Sequence, residues 1–175
     1  MMEPFSDVAQ NCERQLKAAG FPCEIRIVRG GVALCPKSES QIVDLSALDG
    51  LPIKELDLSN TEVTDLLPLR ALNLSTLIIR GTPVEDLEPL SGLPLRDLDL
   101  AFTRVTNLSG LQGIPLRRLV LRNVKIMELQ PVEEAPIKEL DLALTPIESL
   151  RCLRQMPLRS LNLFKVAVDD IAPLR

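Results

Sequence analysis

The chain has 175 residues, 46% of them apolar, with 20 basic and 24 acidic side chains giving a net charge of -4. That excludes a disordered chain and, with the charges interspersed, the basic footprint of a nucleic-acid binder. Histidine is absent, so a His-based triad or a His-ligated metal site is excluded as well, and neither metal nor other cofactor is expected. With aromatics at 2% and no Trp or Tyr, the core must be aliphatic, built mainly from Leu.

The N-terminus, "MMEPFSDVAQ", has no basic start and no apolar core, so it does not read as a secretory signal. No apolar run is long enough to cross a bilayer. Cys12, Cys23, Cys35 and Cys152 lack CxxC spacing and read as buried thiols of a cytoplasmic protein, with no support for a disulfide among the first three. Residues 1–51 do not repeat. "PFSDVAQNCERQLKAAG" puts Phe5, Val8, Cys12, Leu16 and Ala19 on one helical face, with Ser6 as N-cap and Gly20 as stop. "CEIRIVRGGVALCP" reads as a hairpin turning at Gly30 and Gly31. Ile42, Leu45, Leu48 and Leu51 then form the back of a degenerate first coil, whose strand comes from Val32 and Leu34. The whole segment is read as a cap.

From residue 52 the chain repeats. "PIKELDL", "PLRDLDL", "PLRRLVL", "PIKELDL" and "PLRSLNL" start at Pro52, Pro94, Pro115, Pro136 and Pro157, and Asn73 opens the remaining copy, so every interval is 21 residues. Counting each opening residue as column one, columns two, five, seven, twelve, fifteen and eighteen stay aliphatic in all six copies, 52–175. Columns five and seven are two apart and share one face of a short strand. The later spacing of three, with Pro68, Pro89, Pro131 and Pro173 in column seventeen, fits a 3₁₀ or extended back rather than an α-helix. No unit of this size buries its apolar face alone, so successive coils must stack and pair their strands in parallel at about 4.8 Å.

"IKELDLSNT" resembles the leucine-rich repeat signature LxxLxLxxN, and "VTDLLPL" and "VEDLEPL" resemble the short-backed subtype of internalins and the phosphatase-regulator branch. The resemblance extends to repeat domains of bacterial proteins, some fused to kinases. It implies an α/β solenoid: a right-handed leucine-rich repeat with a parallel concave β-sheet, a 3₁₀ or extended convex side, and an N-terminal helix-plus-hairpin cap. Two features depart from the family. The units have 21 residues rather than the usual 22. The column in which the family's Asn bridges coils holds Thr61, Thr82, Thr103 and Thr145, with Val124 and Val166 in the other copies. Thr keeps one bond to backbone and Val none, so this polar ladder is expected to weaken toward the C-terminus. The chain stops at "IAPLR" with no polar closing element, which reads as continuation in a longer protein or as cover by a partner or second copy over Leu163, Ile171 and Leu174.

The resemblance implies a binding scaffold with a protein partner. On the expected concave side, column six carries Asp57, Ile78, Asp99, Val120 and Asp141, and column eight carries Arg80, Arg122 and Phe164. Acidic Asp57, Asp99 and Asp141 alternate with Arg80 and Arg122 on adjacent strands and can pair across them, either as a self-neutralising ladder or as a docking surface. Phe102 and Leu144 of column nine, with Phe164, are candidate apolar anchors. Ile78 and Val120 are expected to be open to solvent between the Asp residues. These ten residues are the candidate partner-binding set. Catalysis is not expected: the pairs Asp169–Asp170 and Glu133–Glu134 fall at loop or back-side positions, and no nucleophile has a base beside it. The alternative is a ligand-sensing or regulatory segment of a larger enzyme, such as a bacterial protein kinase or a phosphatase regulator.

Overall fold

The structure, a computed structural model, describes residues 4–36 and 42–174. One helix, α1 (Pro4–Ala18), precedes eight strands: β1 (Cys23–Val28), β2 (Gly31–Pro36), β3 (Ile53–Asp57), β4 (Thr76–Ile78), β5 (Asp97–Asp99), β6 (Arg118–Val120), β7 (Glu139–Asp141) and β8 (Ser160–Asn162). They form one sheet in sequence order, antiparallel between β1 and β2 and parallel from β2 onward. Short 3₁₀ segments of three to five residues follow each of the strands β2 to β8 on the opposite side, from Ser46–Leu48 to Ala172–Leu174. From β3 to β8, equivalent residues pair one coil apart, as in Leu56↔Leu77 and Leu77↔Leu98.

α1 starts before the expected cap: Pro4 is already helical, so Ser6 lies inside the helix. The side chains of Phe5 and Ser6 lie outside the described residues. Cys12 and Leu16 are buried and Val8 is partly so, but Ala19 sits past the helix end and is exposed. Gly20 does end the helix. It adopts φ +70°, its N–H reaches Lys17 O at 3.2 Å, and Phe21 N–H reaches Leu16 O at 2.8 Å, the paired bonds of a Schellman stop. The helix packs on β1, the outer strand of the hairpin.

The hairpin turns at Arg29 and Gly30, and β2 pairs with β3 as the strand of the first coil. Here Gly31 has a steric role: a Cβ on it would come within 2.1 Å of Pro52 O. Ile42, Leu45, Leu48 and Leu51 are buried behind β2 as expected. The aliphatic columns continue this core without a break from Cys12 to Met156. In the last coil Leu158, Leu161 and Leu163 are only half-buried, and Ile171 and Leu174 are exposed.

The back of the coil is shaped by side-chain-to-backbone bonds. Asp65, Asp86, Asn107 and Asp170 each accept the N–H two residues on, at 2.7–2.9 Å, setting up the 3₁₀ turns that follow. Pro68 and Pro89 then occupy the first turn, where a missing N–H costs nothing. Asp170, at the loop or back-side position expected of it, is one of these turn formers.

The threonine column differs from expectation. Oγ1 of Thr61, Thr82, Thr103 and Thr145 donates to the carbonyl three residues back in its own coil, at 2.7–2.8 Å. The hydroxyl arm is too short to reach the next coil, so there is no bridging ladder to weaken. Val124 and Val166 keep the same backbone turn through their N–H groups, both at 3.0 Å.

Candidate functional site

Columns four, six and eight share the open face of the sheet, because columns five and seven point into the core. The candidate residues on it do not form the expected alternating charge ladder. Oδ1 of Asp99 and of Asp141 accepts the N–H two residues on, from Ala101 and Ala143, both at 2.9 Å. Asp57 does the same for Ser59, whose hydroxyl also bonds it. The Asp arm is short, and the extended chain just beyond the strand offers a near amide. The carboxylates are therefore spent first on ending their own strands.

One cross-strand pair remains in the candidate set. Arg122 Nε and Nη2 both reach Asp141 Oδ2, at 3.3 and 3.1 Å. A second pair, Arg118 to Glu139 at 3.5 Å, belongs to column four, which sequence reasoning passed over. Its signal was available: Glu55, Asp97, Arg118 and Glu139 recur two residues before column six, and period two puts them on the same face. Among the described residues Arg80 takes no carboxylate. Its guanidinium lies 5.1 Å from the centre of the Phe102 ring.

Arg80, Arg118, Arg122 and Glu139 ring a hollow of about 390 Å³ whose floor includes Val120. The floor is a correction: Val120 is 9% exposed rather than open, because these longer polar arms converge around it. Ile78 is half-buried. Beyond the strand ends the apolar candidates are open. Phe102 is 41% exposed, Leu144 38% and Phe164 58%.

Column nine carries a constraint the sequence did not reveal. All six of its residues adopt the left-handed region: Asn60, Gly81, Phe102, Asn123, Leu144 and Lys165, with φ between 56 and 69°. The N–H groups of the first five continue the parallel ladder past the strand, as Phe102 N to Arg122 O and Leu144 N to Phe164 O, both 2.9 Å. Asn and Gly suit this backbone, whereas Phe102, Leu144 and Lys165 are strained there.

The cysteines are less buried than expected, with only Cys12 enclosed. Burial raises the Cys35 thiol above its ordinary pKa, and the nearby Asp57 and Glu24 carboxylates add to that. Cys152 is raised by burial first and then by Glu133. Such thiols hold little thiolate at neutral pH and make poor nucleophiles. Among the described residues no cluster of His, Cys, Asp or Glu could hold a metal ion, and no helix is long and apolar enough to cross a membrane.

Two solved structures share this architecture. An internalin C2 (inlC2) from Listeria monocytogenes superposes with a TM-score of 0.74 and 24% identity over 81% of this chain. The fold is the leucine-rich repeat fold of the internalins. A second internalin (inlF) from the same organism gives a TM-score of 0.68, with 24% identity over 77% of this chain. The chain spans 65% of the internalin C2 chain and 42% of the inlF chain. No family model matches the sequence, and no curated protein does. The leucine-rich repeat solenoid expected from the repeat is thus the fold observed: a mostly parallel sheet backed by short 3₁₀ turns.

Proposed function

We propose that this chain is a non-catalytic protein-interaction module that receives a protein partner across the open face of its sheet. Phe102, Leu144 and Phe164 carry the reading. Three large apolar side chains stand exposed along one rim of that face, and two of them occupy backbone that disfavours them. Folding gains little from either feature, whereas buried aromatic and aliphatic anchors dominate binding at interfaces. Arg80 beside Phe102 and the Arg122–Asp141 pair supply directional contacts next to these anchors. The carboxylates of the hollow are engaged with backbone N–H groups or arginines, an arrangement suited to recognition rather than proton transfer. A cytoplasmic setting, which keeps Cys12, Cys35 and Cys152 as thiols, belongs to the same proposal.

The test compares the protein with its Phe164→Ala/Arg122→Glu variant as baits, followed by affinity measurement on whatever the first retains and the second loses. Partner affinity is expected to fall at least about tenfold while stability changes by less than about 2 kcal/mol. Unchanged affinity would move the site off this face.

A further inference from the structure

Column three holds Lys54, Ser75, Arg96, Arg117, Lys138 and Arg159. Five of the six are basic, in a chain whose net charge is -4. The fold brings them into single file at the edge where the chain enters the sheet. Arg117 N–H bonds Arg96 O at 2.7 Å, Lys138 N–H bonds Arg117 O at 2.8 Å, and Arg159 N–H bonds Lys138 O at 2.7 Å. Each of those carbonyls also accepts the next N–H, from Arg118, Glu139 and Ser160. Each of these carbonyls thus serves two successive N–H groups where its strand begins, while the coils stay in one-to-one register. Columns two and five are both buried although three apart, so the chain departs from strict alternation just before the strand and column three lies out at the rim.

Arg96, Arg117 and Arg159 are exposed and Lys138 is half-buried. Among the described residues, neither salt bridge uses any of the four. Like charges on adjacent strands repel, so the file opposes folding and is unexplained by it. We infer that this basic rim binds an extended acidic peptide segment lying along the solenoid axis. The surface differs from the sheet face and its apolar anchors, so the inference stands apart from the reading above.

Pitch and charge favour that occupant. Four cations at about 4.8 Å per coil span roughly 14 Å, the reach of four or five extended residues at about 3.3–3.6 Å each. Arginine forks suit carboxylates. Alongside the file, column four places Asp97 and Glu139 on the face. A continuous phosphate backbone would be repelled there, whereas a peptide offers N–H donors to them. The exposed aromatic rings on which bases would stack, Phe102 and Phe164, stand past the opposite ends of the strands.

The probe is a fluorescein-labelled dodecapeptide of alternating Glu and Ser, followed by anisotropy at low and at high salt. A twelve-residue oligothymidylate and vesicles rich in phosphatidylserine serve as rival ligands. Saturable, salt-sensitive binding is expected, weakened at least about tenfold by Arg117→Glu/Lys138→Glu and less by Arg117→Gln/Lys138→Gln, with circular dichroism unchanged. A Phe102→Ala/Phe164→Ala variant is expected to bind the peptide as the parent does. No binding at low salt, binding that survives charge reversal, equal loss in the Phe variant, or tighter binding of oligothymidylate or vesicles would each overturn the assignment. The Phe variant also separates the two surfaces, since the sheet-face reading fails or holds on the captured partner alone.

Discussion

Lys165 stands at φ 57°, exposed and with its ammonium 5.4 Å from the centre of the Phe164 ring, where Asn60 and Asn123 occupy the same column. Lys165→Asn should therefore relieve backbone strain and raise stability by about 0.5–1 kcal/mol in chemical denaturation. Thr103→Val is expected to cost less than about 2 kcal/mol, since it removes one short-range hydroxyl bond and leaves the backbone turn that Val124 makes without it. A larger loss would mean that the hydroxyl does more than close its own coil. At this scale the sequence was partly legible. Leu and Thr burial could be read from the columns, because a buried position must be filled in every coil. The left-handed backbone of column nine could not, because Phe102, Leu144 and Lys165 mask what Asn60, Gly81 and Asn123 suggest. Asp57 and Asp99 miss the expected pairing for another physical reason: a short side chain bonds the nearest amide before it spans two strands, whereas Asp141 does both.

Within each coil, a strand and a 3₁₀ segment of three to five residues each are too short to be stable alone, so they depend on close contact with the coil before. Gly110 shows how close. A Cβ there would lie 2.3 Å from Leu87 O and 2.7 Å from Glu88 N, both backbone atoms of the preceding back-side turn. Gly110→Ala is expected to destabilise the protein by about 1–3 kcal/mol, measured by urea unfolding, because neither backbone can retreat without opening the stack. The strands, the 3₁₀ turns and the hairpin cap all followed from spacing, proline placement and the glycine pair. The rim of basic residues was equally present in the repeat, one column from residues already singled out. It becomes meaningful only once the backbone bonds line column three up in single file at the exposed edge.

Among the described residues the core is one strip, and each coil packs chiefly on its neighbours. The functional candidates divide between two long edges of that strip: cations where the chain enters the sheet, apolar groups where it leaves. A partner laid on the face between them would meet different chemistry at its two margins, which fixes its orientation as well as its place. The open last coil, with Leu161 and Leu163 half-buried, is the least covered part of the strip.

The threonine hydroxyls tie each loop to itself, not to the one above. Length is then a free variable of this architecture, in the way that floors can be removed from a tower whose staircases are internal to each storey. Excising residues 94–114 whole should yield a shorter protein that still melts cooperatively by circular dichroism. Excising one residue fewer leaves a single 22-residue coil whose extra residue must loop out at the splice, so the protein is expected to be less stable than the whole-coil deletion while the coils beyond keep their register.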